Sequence, residues 1–269
     1  MTASSAHLRV STVQVSAGRD VQDNLGRLKS LLSNVGATDV IALPEVFAIR
    51  GSEKDYRDNA EALGGPLAAA LAAIAHRHNA WVLAGSIIED AGHALYNTSI
   101  LLNRSGDIVA RYRKIHLFEA ELDTGQVIRE TDTYSAGSDP VMVDLEGWRC
   151  GLAICYDLRF PELFRHYAAE GAHLFFIPSN FTQRTGKDHW EILLRARAIE
   201  NQCFVVAPDQ CGVNPHTGIA SHGHSMIVGP WGDVLSDTEE GEGIETVVLD
   251  MHDLDNTRRR LPALSHRKL

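Results

Sequence analysis

Three reactive side chains in this sequence each follow an apolar, strand-like run: Glu45 after VIALP, Lys114 after IVARYR and Cys155 after CGLAI. In α/β architectures ligands gather beyond the carboxyl ends of strands, so chemistry would be done from these positions. A free thiol is mostly protonated at neutral pH, and a cation or a helix start lowers its pKa. Lys114 is the candidate cation for Cys155, and a helical stretch begins just downstream of it. A thiolate attacks a carbonyl or nitrile carbon to give a covalent intermediate. The oxyanion so formed needs pre-aimed donors, which Lys114 and the backbone N–H of Tyr156 would supply. Glu45 would protonate the departing amine and then activate water against the thioester.

Residue types alone leave other readings open. Cys155 at the end of an apolar run also suits a packing residue or a redox sensor. Glu45 also suits a helix cap, and Lys114 an exposed strand-end charge. A non-catalytic binding protein that kept the fold is the rival of a different class, and the intact Glu45, Lys114 and Cys155 speak against it.

The elements that must position these groups can be read from hydrophobic period and punctuation. Leu8 to Val15 alternates as a strand, and a helix through NLGRLKSLLSNVG ends near Gly36. DVIALPE is a short buried strand stopped by Pro44, and PLAAALAAIAHRHN is a helix opened by Pro66. WVLAGSII, LYNTSILLN and DIVARYRK read as strands, the last two joined by an NRSGD turn, and VMVDLEGWRCGLAIC as a hairpin. A helix from about Phe160 to Gly171, the strand HLFFIP, the helix DHWEILLRARAIENQ and the strand CFVVAPD follow. The pair GHSMIVGPWGDVL, the strand ETVVLD and a last helical piece complete the chain. Two strand–helix alternations flank a block of hairpins, which predicts mixed sheets. Helices must cover sheet faces and leftover faces must pack together, so an α/β fold with four αββα layers is expected.

The 269 residues carry 44% hydrophobic and 22% charged side chains, enough for a sizeable core, and nothing in the composition splits residues 1–269 into more than one domain. The net charge of −10 argues against a nucleic-acid partner. The Arg258–Arg260 and His266–Lys268 clusters read as a solvated helix end and tail. No stretch approaches the roughly 18–20 apolar residues that span a bilayer, and MTASSAHLRVSTVQ lacks the pattern of a secretory signal, so a cytoplasmic protein with no membrane partner is expected. Cys150, Cys155, Cys203 and Cys211 form no C-x-x-C pair and should be free thiols, with Cys150, Cys203 and Cys211 in the core. His222 and His224, in SHGHS, sit on an apparent strand where alternate residues share a face; hydrogen bonding is favoured there over metal binding.

LPEVF around Glu45, YRKIHLF around Lys114 and GLAICYDLRFPEL around Cys155 resemble, in order, the three signature blocks of the nitrilase superfamily of carbon–nitrogen hydrolases. The likeness runs from the first strand to the closing LPALSHRKL. It implies that Glu45, Lys114 and Cys155 are the catalytic triad of a thioester-forming hydrolase of linear amides. HWEILLRARAIENQCFVVAPDQCG and GHSMIVGPWGDVL resemble the Nit branch, nearer to its deaminated-glutathione amidases than to its ω-amidases. The substrate implied is a small keto-acid amide, cleaved to release ammonia or an amine. The alternatives are 2-oxoglutaramate or 2-oxosuccinamate, an N-carbamoyl amide, or a nitrile. The resemblance also implies an αββα homodimer, with the tail from Leu261 to Leu269 crossing the interface, and no metal or organic cofactor.

By the same likeness a second acidic residue follows the lysine, and HLFEAELDTG offers Glu119 and Glu121. Glu121 is aligned with it, to orient Lys114 and the water. The Nit-branch arginine matches Arg159, whose planar fork suits a substrate carboxylate; ion pairs of Arg159 with Asp157 and Glu162 are the alternative. Phe181 and Thr185 would line the pocket. The chain departs from its relatives in having His222-Gly223-His224-Ser225 where Tyr-Gly-His-Ser is common, and its loop GVNPHTGIA fits no assigned role.

Overall fold

β1 (His7–Gln14) alternates its faces, with Leu8 and Val10 entering one buried cluster and Val13 another. This two-sided burial recurs through the sheet and dictates four layers. The computed structural model describes residues 6–121, 125 and 127–268. After β1 come α1 (Val21–Leu32), β2 (Val40–Ala42), α2 (Glu53–Asp58) and α3 (Pro66–His78). Then follow β3 (Trp81–Asp90), β4 (Leu95–Leu102), β5 (Ile108–Arg113) and the hairpin β6 (Glu119–Glu121) and β7 (Val127–Arg129). The second half holds β8 (Val141–Leu145), β9 (Trp148–Leu152), α4 (Pro161–Ala169), β10 (Leu174–Phe176), α5 (Gln183–Asn201) and β11 (Phe204–Ala207). It closes with β12 (Met226–Val228), β13 (Val234–Asp237), β14 (Gly243–Asp250) and α6 (Met251–Arg260).

Two six-stranded sheets result, ordered β14-β1-β2-β3-β4-β5 and β13-β12-β11-β10-β9-β8. Each has three parallel strands at its centre, β1-β2-β3 in one and β9-β10-β11 in the other, with antiparallel strands outside them. Leu8, Val10, Val40, Leu83 and Leu101 of the first sheet share one buried cluster with Trp148, Cys150, Leu152, Phe176 and Phe204 of the second. The opposite face of the first sheet, through Ile41, Val82 and Ile100, packs on Leu25 and Leu28 of α1 and Leu71 and Ile74 of α3. On the far side of the second sheet, Phe175 meets Phe164 of α4 edge-on at 5.2 Å. Each such side chain contributes about 1.5–3 kcal/mol by leaving water. The layers are αββα, as expected.

Three details differ from the sequence reading. α1 stops at Leu32, where Ser33 caps it, rather than near Gly36. α5 begins at Gln183, five residues before Asp188, so that Thr185 stands on its first turn. His222 and His224 do not lie on a strand: His224 has φ 53° and the two rings stack with centroids 4.6 Å apart. His224 Nδ1 lies 3.1 Å from the Asp237 carboxylate, a hydrogen-bonding role. Within the calls made on the tail and on the loop after Lys114, Leu269 and residues 122–124 and 126 lie outside the described residues.

Candidate active site

Glu45 is carried off the end of β2 by Leu43 and Pro44. Leu43 N–H still donates to Leu83 O at 3.0 Å, and the chain then crosses β3 at Gly85. Val46 adopts φ 48°, and its N–H is received by Ser86 Oγ at 2.9 Å. Gln210 Nε2 donates to Glu45 O at 3.0 Å from the segment that follows β11. The carboxylate is buried at 3% exposure.

Lys114 continues β5 by one residue. Its N–H donates to Asn97 O (2.9 Å) and its O accepts from Gly137 N–H (2.8 Å), so the main chain is held on both sides. Nζ donates to Glu45 Oε1 at 2.8 Å and lies 2.8 Å from Glu130 Oε2 and 3.0 Å from Oε1. Burial works to deprotonate this amine, but Glu130 and Glu45 more than offset it, holding the Lys114 pKa well above the usual lysine value. It remains an ammonium. Glu130 is raised, because burial and the Glu45 charge outweigh Lys114.

Cys155 opens a 3₁₀ turn, Cys155–Arg159, just past β9. Its φ of 46° is the left-handed region, uncommon for a residue with a side chain. Two anchors fix this bend: Cys155 N–H donates to Pro178 O at 2.9 Å, and Ile154 N–H donates to Asp157 Oδ2 at 2.8 Å. Tyr112 OH (2.7 Å) and His116 N–H (3.0 Å) also donate to Asp157. Tyr112, on β5, and His116, beyond it, flank Lys114, so one carboxylate ties the Cys155 turn to the lysine segment. The expectation of a lowered thiol pKa is overturned. Burial and the Glu45 charge push Cys155 well above the usual thiol value, and Lys114 and the Asn180 N–H pull it back only in part.

Glu45, Lys114 and Cys155 share the wall of a cavity of about 330 Å³. Tyr156, Arg159, Phe181 and Thr185 also line it. Tyr156 N–H, the first free one of the turn, has no backbone acceptor among the described residues. Arg159 does not pair with Asp157, whose oxygens are taken by Tyr112, His116 and Ile154. Its guanidinium lies 5.2 Å from the Phe181 ring centre and 5.8 Å from that of Tyr156, and Nη1 donates to His189 Nδ1 at 3.2 Å. No carboxylate pairs with it among the described residues.

Glu121 is not at Lys114. It sits exposed at the far end of the β6–β7 hairpin, opposite Val127. The hairpin turns the chain back, so the residue after β7, Glu130, returns beside Phe118: their main chains bond at 2.9 Å, and Phe118 N–H donates to Glu130 Oε2 at 2.7 Å. Counting forward from Lys114 could not find it. The unassigned loop contributes Asn214, His216, Thr217 and Ile219 to the cavity. Asn214 Oδ1 accepts from the N–H groups of His216 (2.9 Å) and Thr217 (3.2 Å), closing that loop on itself. Asn180, beside Phe181, was a further residue the sequence reading passed over.

The pattern of the family described as carbon–nitrogen hydrolase matches residues 9–259. A deaminated glutathione amidase of Synechocystis sp. is 37% identical over 266 residues, covering 96% of this chain and 97% of its own. The crystal structure of the C. elegans NitFhit protein superposes with a TM-score of 0.90 at 33% identity, covering 97% of this chain but 65% of that longer one. Saccharomyces cerevisiae Nit3, a member of branch 10 of the nitrilase superfamily, superposes with a TM-score of 0.84 at 30% identity, covering 95% of this chain and 94% of that one. With the fold, the cavity and these likenesses in agreement, this chain belongs to the carbon–nitrogen hydrolases of the nitrilase superfamily, enzymes that cleave the C–N bonds of amides.

Proposed function

We propose that this chain, acting as one domain, is a thiol amidase that cleaves the side-chain amide of a small 2-oxo acid, with deaminated glutathione as its substrate. The carrying observation is the Glu45 Oε1–Lys114 Nζ contact of 2.8 Å on the wall of the cavity that Cys155 shares. Because the resting thiol is protonated, Glu45 takes its proton as Sγ attacks the amide carbonyl. Lys114 Nζ and Tyr156 N–H hold the oxyanion, while Glu130 keeps the ammonium charged and in place. When the tetrahedral intermediate collapses, the C–N bond breaks and Glu45 passes its proton to the leaving nitrogen. A thioester remains on Cys155. Glu45 then deprotonates water, which attacks the thioester; the acid leaves and the thiol regains its proton.

Arg159 supports the choice of acid, since a guanidinium without a carboxylate in a cavity suits the carboxylate of a 2-oxo acid. The name of the Synechocystis relative supports deaminated glutathione, whose leaving group is a peptide tail. The same anchor serves 2-oxoglutaramate, the second reading. Ile192, Ile199 and Trp231 stand 69%, 50% and 49% exposed, which supports a homodimer. Four free cysteines support a cytoplasmic setting.

The experiment follows 2-oxo acid formation from deaminated glutathione and from 2-oxoglutaramate, with Cys155→Ala as the blank. Turnover of the first above the second, and none by the variant, is expected. A variant with near-normal rate would refute the thioester route, and preference for 2-oxoglutaramate would move the role to the ω-amides.

A further inference from the structure

Two donors converge on one oxygen of Glu45. Lys114 Nζ reaches Oε1 at 2.8 Å, and so does Asn97 Nδ2, also at 2.8 Å. No donor among the described residues is within hydrogen-bonding distance of Oε2. Asn97 lies on β4, 2% exposed, and does not line the cavity. Its backbone O receives Lys114 N–H at 2.9 Å, so this one residue holds the lysine's main chain and the lysine's carboxylate partner together. Its Nδ2 also lies 3.4 Å from Glu130 Oε1. The amide orientation is therefore fixed: turned over, its oxygen would face two carboxylates.

We propose that Asn97 is a positioning residue that, with Lys114, saturates Oε1 of Glu45 and thereby commits Oε2 to proton transfer. This rests on the amidase reading, in which Glu45 shuttles a proton between the Cys155 thiol, the leaving nitrogen and water. A carboxylate held by one donor alone can rotate and offer either oxygen; held by two on the same oxygen, it keeps the other turned to the reacting atoms. The side chain at this place must donate, must be uncharged beside two carboxylates and one ammonium, and must be short. Asparagine meets all three conditions.

The test compares the full-length wild type with Asn97→Leu, which keeps the volume and removes the donor, and Asn97→Asp, which keeps the shape and exchanges donor for acceptor. For Asn97→Leu, kcat on the keto-acid amide is expected to fall about 30- to 300-fold, as for loss of one pre-aimed donor, with KM within about threefold because the residue does not reach the cavity. For Asn97→Asp, the rate relative to wild type should climb about tenfold or more from pH 8 to pH 5.5, as the added carboxyl protonates and regains an O–H to donate. A purely structural role gives no such recovery. Asn97→Leu with kcat within threefold of wild type, or Asn97→Asp with a pH-independent ratio to wild type, overturns the proposal. If the wild type turns over no keto-acid amide, the amidase reading fails, and alkylation of Cys155 by iodoacetamide still decides the role of Asn97. An unchanged alkylation rate in both variants overturns it; a tenfold slower one, with the same acid recovery in Asn97→Asp, supports it.

Discussion

A β-carbon at Gly85 would fall 1.9 Å from Leu43 O and 2.4 Å from Pro44 O, the two backbone groups that carry Glu45 off its strand. Only hydrogen fits there, so this glycine serves the carboxylate although it never meets substrate. Gly85→Ala should cost about 1–3 kcal/mol by overpacking and, by displacing Glu45 on the order of 1 Å, lower kcat/KM about 100-fold. A melting curve and a rate measurement separate the two effects. Glu130 acts on the lysine instead. It heads the list of groups that hold Lys114 protonated, and it does so from two oxygens. Glu130→Gln keeps the shape and removes the charge, so kcat/KM should drop about 100- to 1000-fold, while Glu121→Gln, on the exposed hairpin, should stay within about twofold. Equal effects of the two substitutions on rate would show that the hairpin, rather than Glu130, matters.

Elements that bury a face could be read from sequence, and elements that bury nothing could not. β1, β3, α3 and the β8–β9 hairpin carry the apolar period that the core requires, and each was found. α2 contains no buried residue, and β6 and β7 are three-residue strands with exposed ends, so neither left a hydrophobic signature. Glu130 was missed for the same reason, since the turn that returns it to Lys114 is held by backbone pairing. Cys155, Glu45 and Lys114 were legible because each follows a strand-like run, buried in β2 and β9 and mostly exposed in β5. The unusual backbone at Cys155 and the raised thiol pKa were not, being consequences of packing by distant segments. α5 gives a related case at its first turn. Gly186 lies against His222, and a β-carbon there would come 2.2 Å from Cγ of the ring. The same turn bears Thr185, which bonds Thr182 at 2.8 Å on the cavity wall. Gly186→Ala should therefore destabilise by about 1–3 kcal/mol and raise KM more than it lowers kcat, as read from saturation curves on the keto-acid amide.

Across the whole molecule, the proposed catalytic groups occupy one end of the sandwich and an ionic network the other. Glu45, Lys114 and Cys155 follow the carboxyl ends of β2, β5 and β9, whereas Asp39 precedes β2 and Glu146 sits in the turn before β9. Arg104, in the β4–β5 turn of the first sheet, donates through Nε to Glu146 Oε1 of the second sheet at 2.7 Å and through Nη2 to Asp39 Oδ1 at 3.2 Å. Arg9 Nε adds a bond to Asp39 Oδ2 at 2.9 Å, and Trp81 Nε1 one to Glu146 at 2.9 Å. The network thus staples the sheets where no substrate enters. Burial pushes the Asp39 carboxyl up, yet Arg9 and Arg104 outweigh it and bring its pKa down to about 2. A carboxylate depressed in the folded state contributes stability above its unfolded value, and that contribution is lost as pH falls through the folded one. For Asp39 the window runs from about 4 down to about 2, and with Arg9 half exposed the contribution is about 1 kcal/mol rather than the full shift. Asp39→Asn should accordingly lower the urea midpoint at pH 7 and leave kcat/KM unchanged, the site being at the opposite end. Its deficit against wild type should shrink as urea melts are repeated toward pH 3. A constant deficit over that range would mean that the side chain acts through packing, since loss of a charge pair must fade as the pair's own carboxylate is titrated.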